Sequence, residues 1–222
     1  MFRNSKRLGL AFVASLVLVG TAASAARAAN EFTASQYPAT IEGTQVKGKN
    51  VEIDFPAVKV TCAKATFKGL IAASTGEWTQ ELWAALDCTA VINGVKMAVD
   101  IKMNGCDWQA KNVMLKKEKT LKCEAGKDVQ IMVWESEAAK KEGKTLCNFH
   151  LAAQSELAAV EYENVAGSPE DVLAKENLTG IKYTTTGSAI VCGSSGSSAE
   201  FVAESTLTAK NGKGEAIGFM VG

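Results

Sequence analysis

The Asn93-Gly94 dipeptide constrains the fold more strongly than any other stretch, because it predicts a tight turn between two β-strands. A two-residue type I′ turn needs a positive φ at both central residues, and Asn followed by Gly tolerates that conformation best. Apolar side chains then recur at every second position from Val95 to Met103. This spacing is typical of a strand with one buried face. Residues 89–106 are therefore predicted to contain an antiparallel hairpin. The side chains expected on its solvent face are Lys96, Ala98, Asp100 and Lys102.

Short segments with β-branched, aromatic or alternating residues continue along the chain, separated by Gly, Pro and Asn. This regular spacing of short segments predicts an all-β fold, an antiparallel sandwich or barrel of many short strands. Residues 135–144 break the pattern, and their composition suits one or two helical turns or a solvated loop ending at Gly143. Besides the 89–106 hairpin, the predicted strands are 40–46, 51–55, 58–62, 78–88, 108–114, 120–123, 129–134, 147–151, 158–164, 170–178, 180–186, 189–192, 200–209 and 217–221.

The first 28 residues have the pattern of a secretory signal peptide. Arg3, Lys6 and Arg7 precede an apolar run at 8–20, and small residues follow at 21–29. The run is shorter than the roughly 20 residues that a membrane-spanning helix needs, so cleavage is favoured over a retained anchor. We expect a signal-peptide helix at 1–28 that is removed, and a single disulfide-stapled β domain at 29–222. The expected location is extracellular or at the cell surface, with no transmembrane anchor after cleavage.

Loss of the signal peptide changes the charge balance. The whole chain has 24 Lys and Arg against 24 Asp and Glu. Removing Arg3, Lys6, Arg7 and Arg27 leaves 20 basic residues against 24 acidic ones, so the remaining protein is mildly acidic. Nucleic acid is therefore a poor partner, because such binding depends on a basic surface.

All six cysteines lie after the signal peptide, and none forms a Cys-x-x-Cys motif. In an exported chain an even number of cysteines indicates disulfides rather than a thiolate metal site, so neither a metal nor another cofactor is expected. The sequence alone leaves the pairing open. We favour the sequential set, because each pair would then bracket one candidate hairpin: Cys62–Cys88, Cys106–Cys123 and Cys147–Cys192.

Candidate catalytic groups are sparse. His150 is the only histidine, and alternation with Phe149 and Leu151 places it opposite an apolar face, where a surface histidine is ordinary. Two acid pairs could serve a polysaccharide hydrolase, because glycosidases use paired carboxylates. Acid pairs on one strand of an acidic protein are more often a solvated face, so no catalytic residue is assigned. The pairs are Glu161 with Glu163, and Glu77 with Glu81.

A second hairpin is predicted after Trp108, with a basic tip at 115–119. Its lysines could form a docking patch for an anionic cell-wall polymer, a polysaccharide or lipid headgroups. They could equally keep an exposed turn soluble and an edge strand unpaired. Trp108, two residues after Cys106, is favoured to pack on a disulfide but could join such a patch. The candidate binding patch is Trp108, Lys116, Lys117, Lys119 and Lys122.

Five short stretches follow one another along the chain at 37–44, 62–69, 103–106, 123–127 and 180–183. Together they resemble uncharacterised exported six-cysteine β-rich proteins of actinobacteria. The resemblance implies an exported, disulfide-linked β fold and carries no known activity or site residues. The expected function is a non-enzymatic binding or structural module at the cell surface or in the wall, and the alternative is a secreted hydrolase acting on polysaccharide through a carboxylate pair.

Overall fold

A computed structural model describes residues 31–73, 77–113, 116–158 and 160–222. The predicted signal peptide lies outside these residues. Within them the chain forms strands connected by turns and two short helices. The strands are β1 Phe32–Ala34, β2 Ala39–Gln45, β3 Val51–Phe55, β4 Val58–Ile71, β5 Glu77–Ile92, β6 Val95–Lys102, β7 Cys106–Val113, β8 Lys116–Cys123, β9 Val129–Trp134, β10 Cys147–Leu151, β11 Gln154–Ala158, β12 Val160–Asn164, β13 Asp171–Gly187, β14 Gly196–Lys210, β15 Ala216–Ile217 and β16 Phe219–Val221. The helices are α1 Glu137–Lys141 and α2 Ala189–Cys192.

Eight antiparallel strands close into a barrel, which confirms the all-β prediction and selects a barrel over a sandwich. Around the ring the pairing runs β4–β5–β6–β9–β10–β13–β14, and β14 returns to β4 through β3. Closure leaves these strands without a free edge, which protects them from pairing with another chain. The side chains that point inward form one continuous apolar core.

The long strands β4, β5, β13 and β14 each change neighbours along their length, so the barrel has two tiers. In the first tier β3, β6, β9 and β10 lie between them, and the ring is closed by backbone pairing. In the second tier β2 lies between β14 and β4, β12 pairs with β13, and β7, β8 and β11 follow one another beside β5. Within the described residues, β11 pairs with β8 and β12 pairs with β13, and no backbone pairing joins these two groups. We call this discontinuity the seam.

The prediction of many short strands is wrong for these four, which have 14 to 17 residues each. The segments 170–178 and 180–186, predicted as two strands, form the single strand β13. Gly180 has a φ of +72°, and the register against β14 shifts between Leu178 and Ile181. A β-bulge therefore replaces the expected break, because one extra residue bends a strand without ending it.

The Asn93-Gly94 turn joins β5 to β6 as predicted, with φ values of +51° and +78°. The predicted exposure of Ala98 is wrong, because this residue is buried although it lies on the face expected to contact solvent. It packs with Met132 and Trp134 in a small cluster outside the barrel, and Ala139 of α1 contacts that cluster. The 135–144 segment thus forms the predicted helical turn, capped by Ser136, and this turn covers the outer surface of β6 and β9.

The three disulfides are Cys62–Cys88, Cys106–Cys123 and Cys147–Cys192, the sequential pairing favoured above. The first two join residues directly opposite on β4–β5 and on β7–β8. The third joins β10 to α2 rather than bracketing a hairpin, because 189–192 forms a helix and not the predicted strand. Three disulfides indicate an oxidising compartment. Among the described residues, no helix is long and apolar enough to cross a membrane.

Candidate functional site

A polar cleft of about 600 Å³ lies on the described part of the chain. Two turns form its walls, one between β6 and β7 and the other between β8 and β9. Strand ends from β6 and β9 complete it. We call it the polar cleft, and its lining residues are Lys102, Asn104, Gly105, Glu124, Gly126, Lys127, Asp128 and Gln130.

Local sequence dictates the shape of both turns. Asn104 and Gly105 have φ values of +48° and +76°, so the first turn repeats the Asn-Gly chemistry of the 93–94 hairpin. Gly126 makes the second turn with a φ of +73°. A side chain at Gly105 would meet the Glu124 carboxyl group at 2.9 Å, so glycine allows the two turns to pack closely.

Covalent and backbone contacts hold the two turns together. The Cys106–Cys123 disulfide joins the strands at the base of the polar cleft. The Glu124 amide donates to the Gly105 carbonyl over 3.0 Å, and the Lys127 amide donates to the Glu124 carbonyl over 3.0 Å. The polar cleft is therefore a preformed surface rather than one that must be ordered by a ligand.

Asp128 organises the polar side chains at one end of the cleft. Its carboxylate accepts a hydrogen bond from Gln130 Nε2 at 3.2 Å, and its other oxygen lies 2.8 Å from His150 Nδ1. Its backbone carbonyl accepts from Asn104 Nδ2 at 3.1 Å, which ties β9 to the first turn. His150 is thus half-buried against Asp128, rather than the ordinary surface histidine that the sequence predicts.

Lys102 and Lys127 are exposed on the cleft walls, and neither makes an ion pair within the described residues. Their ammonium groups are therefore available to a ligand, whereas the Asp128 carboxylate is already engaged by two partners. Lysine donates charge-assisted hydrogen bonds to carboxylate and phosphate groups. The cleft lining carries two lysines and two acids, Glu124 and Asp128, so any anionic group of a ligand would be contacted through the two ammonium groups.

The cleft does not present a recognisable catalytic set. Its two acids, Glu124 and Asp128, come from one turn, and no tryptophan lines it. Among the described residues, no group of three or more His, Cys, Asp or Glu side chains could hold a metal ion. Of the acid pairs named from the sequence, Glu161 and Glu163 are exposed on β12, and Glu163 pairs with Lys175 at 2.9 Å. The side chains of Glu77 and Glu81 lie outside the described residues.

The candidate patch around Trp108 is wrong in its central members. Lys119 is 4% exposed and Trp108 6% exposed, so both face the barrel interior and cannot dock a polymer. The prediction placed the hairpin tip at 115–119, but β8 already begins at Lys116. Lys119 therefore lies on the same inner face of β8 as Leu121. Lys122 is exposed, and the side chains of Lys116 and Lys117 lie outside the described residues.

Inside the second tier, Lys119 Nζ lies 2.6 Å from Glu176 Oε1. The Lys119 ammonium group is 5.6 Å from the centre of the Trp108 ring, a cation–π distance. Tyr162 is buried nearby, and burial, followed by the negative charge of Glu176, raises the pKa of its hydroxyl well above its usual range. We call Lys119 and Glu176 the interior pair.

Sequence reasoning missed Glu176 and Asp128. Val172, Ala174, Glu176 and Leu178 share one face of β13, so alternation could have marked Glu176 as a carboxylate among apolar residues. Its partner on β8 could not be found in this way, because the two residues are far apart in the chain. For Asp128, no local pattern indicates that its side chain meets the only histidine.

Comparison with protein-family models, with curated proteins and with solved structures finds no match for this chain. The resemblance to exported six-cysteine proteins therefore stays a prediction. The fold and the two charged sites, one at the polar cleft and one in the interior, are the basis on which a function is inferred.

Proposed function

We propose that this protein is an exported, non-enzymatic β-barrel module that binds an anionic cell-wall polymer or polysaccharide through the polar cleft. The observation that carries the proposal is a pair of exposed lysines, Lys102 and Lys127, on the walls of a cleft of about 600 Å³, neither of which makes an ion pair with another described residue. Such a cleft accommodates a few units of a polymer, and its amide groups supply further hydrogen bonds to hydroxyl groups.

Export is supported by three features taken together. The first 28 residues have the composition of a signal peptide. All six cysteines are oxidised in the structure, which fits an extracellular setting. A cleft held by the Cys106–Cys123 disulfide would keep its shape only in such a setting.

A sedimentation assay tests the proposal. The oxidised protein is incubated with insoluble cell-wall material and with immobilised polygalacturonate, and the bound fraction and released oligosaccharide are both measured. We expect retention on at least one anionic polymer without product. Release of oligosaccharide would contradict the module and favour the hydrolase.

A matched pair of variants locates the contact. Lys102→Glu/Lys127→Glu reverses two charges in the polar cleft, whereas Lys47→Glu/Lys213→Glu reverses two exposed charges in other turns. The proposal expects the first variant to lose retention and the second to keep most of it. Equal loss in both would show that net charge alone governs binding and would overturn the assignment to the cleft.

A further inference from the structure

The interior pair crosses the seam of the second tier. Lys119 lies on β8 and Glu176 on β13, and these strands belong to the two groups that no backbone pairing joins in the described part of the chain. A second polar contact crosses near it: the Gln154 side chain on β11 bonds to the backbone of Lys182 on β13. Side chains therefore bridge the seam where backbone pairing is lacking.

None of the three disulfides ties the β7–β8 hairpin to β13. Cys62–Cys88 joins β4 to β5, Cys106–Cys123 joins β7 to β8, and Cys147–Cys192 joins β10 to α2. No disulfide crosses the seam, and the chain itself crosses it where β11 ends at Ala158 and β12 begins at Val160.

The surroundings of the interior pair are dry and apolar. Both side chains are 5% exposed, and the adjoining cavity of about 10 Å³ is at the lower limit for one water molecule. Its lining is mostly apolar and aromatic, and contains no further charged residue. Besides the pair, the lining residues are Val51, Ala65, Phe67, Trp108, Phe201, Ala203 and Ser205.

Two opposite charges in such a place are costly to keep. Removing an ammonium and a carboxylate from water costs several kcal/mol per ion, and their attraction repays this only in part. A secondary amide of the same atoms is neutral, so its burial is far less costly. The nitrogen already lies against the carboxylate at 2.6 Å, which supplies the proximity that an intramolecular reaction requires.

We infer that Lys119 and Glu176 condense to an intramolecular isopeptide bond that covalently closes the seam. Proton transfer from the ammonium to the carboxylate gives a neutral amine and a carboxylic acid. The nitrogen lone pair then forms a bond to the Glu176 side-chain carboxyl carbon. The carbon–hydroxyl bond breaks, and the hydroxyl leaves with a proton from nitrogen as one water molecule. No oxidant, reductant or external reactant is needed.

Intact mass spectrometry of the whole exported protein tests this inference. After reduction and alkylation of the three disulfides, the wild-type mass is expected to be one water below the mass of the chain from its measured N-terminus. Trypsin should leave the chain uncut after Lys119 and should yield a branched peptide that contains Glu176. A full mass, with Lys119 and Glu176 recovered in separate peptides, would overturn the inference, as would a water loss located elsewhere.

Two variants serve as controls. Lys119→Arg keeps the positive charge but removes the nucleophilic amine, and it should have the full mass. Lys119→Met/Glu176→Met replaces both charges with apolar groups of similar length, and it should fold and also have the full mass. A water loss that persists in either variant would exclude the amide as its source. The wild-type mass and peptide map decide the question even if a variant does not fold.

Discussion

Lysines and carboxylates occupy two contrasting regions of this barrel. In the interior pair, Lys119 and Glu176 are 5% exposed and 2.6 Å apart, with aromatic side chains around them. In the polar cleft, Lys102 and Lys127 are exposed and make no ion pair in the part of the chain that the structure describes. The interior pair uses β8, and the polar cleft uses the turn that follows β8. Neighbouring segments of the chain therefore contribute to both regions.

The difference shows how environment assigns a role to the same residue type. A buried charge without its partner costs several kcal/mol, so the interior pair is committed to holding the fold. An exposed lysine in water contributes little to stability and keeps its hydrogen bonds for a ligand. Substitutions in the interior pair are therefore expected to lower the free energy of unfolding. Substitutions of the cleft lysines are expected to weaken ligand binding.

The largest expected effect comes from removing one member of the interior pair. Glu176→Leu leaves Lys119 buried without a partner and should lower the free energy of unfolding by about 3–5 kcal/mol. Denaturant unfolding of the oxidised protein measures this change. The matched surface variant is Glu163→Gln, which removes the exposed pair with Lys175 and should leave the free energy of unfolding nearly unchanged. Equal losses of unfolding free energy in the two variants would contradict the proposed difference between the interior pair and an exposed ion pair.

The next effect concerns the base of the polar cleft. Cys106→Ala/Cys123→Ala should lower the free energy of unfolding by about 3 kcal/mol, because the disulfide closes a loop of 17 residues. It should also weaken retention on anionic polymer at a temperature where the variant is still folded. Unchanged retention by the folded variant would show that the disulfide is not needed to hold the cleft in shape.

A smaller effect is expected from single cleft lysines. Lys127→Ala should weaken polymer binding by about threefold to tenfold and leave the free energy of unfolding within about 0.5 kcal/mol of wild type. Binding isotherms at two salt concentrations check this, since a contact between exposed charges weakens as salt is added. Loss of stability without loss of binding would show that Lys127, like Lys119, serves the fold rather than a ligand.

The smallest effect concerns a surface carboxylate. A hydrogen bond from Lys210, supported by Lys68, lowers the pKa of Glu42 below its usual 4.5. Its contribution is therefore present above about pH 4.5 and is lost as pH falls through the lowered pKa. Glu42→Gln should cost about 0.2–1 kcal/mol at pH 7 and less at pH 3, as measured by unfolding at both values. An equal cost at both pH values would contradict this ionic contribution.

The sequence was informative wherever local chemistry decides the structure. Asn93-Gly94 predicted its turn, and alternation predicted strands throughout the all-β fold. Strand length was less predictable, because the bulge at Gly180 looks like a strand end in the sequence. Lys119 was misplaced for a related reason: a cluster of lysines suggests a turn, whereas only the distant Glu176 makes an inward-facing lysine tolerable. Contacts between remote strands, including His150 with Asp128, have no local sequence signal.

The most direct measurement of the central claim is an amide NMR titration of the oxidised, isotope-labelled protein with oligogalacturonate. The account predicts that the largest chemical-shift changes fall at residues 102–105 and 124–130, with little change around Lys119 and Glu176. Changes that are centred elsewhere on the barrel, or no saturable change with this or a phosphate-bearing wall fragment, would contradict a binding role for the polar cleft.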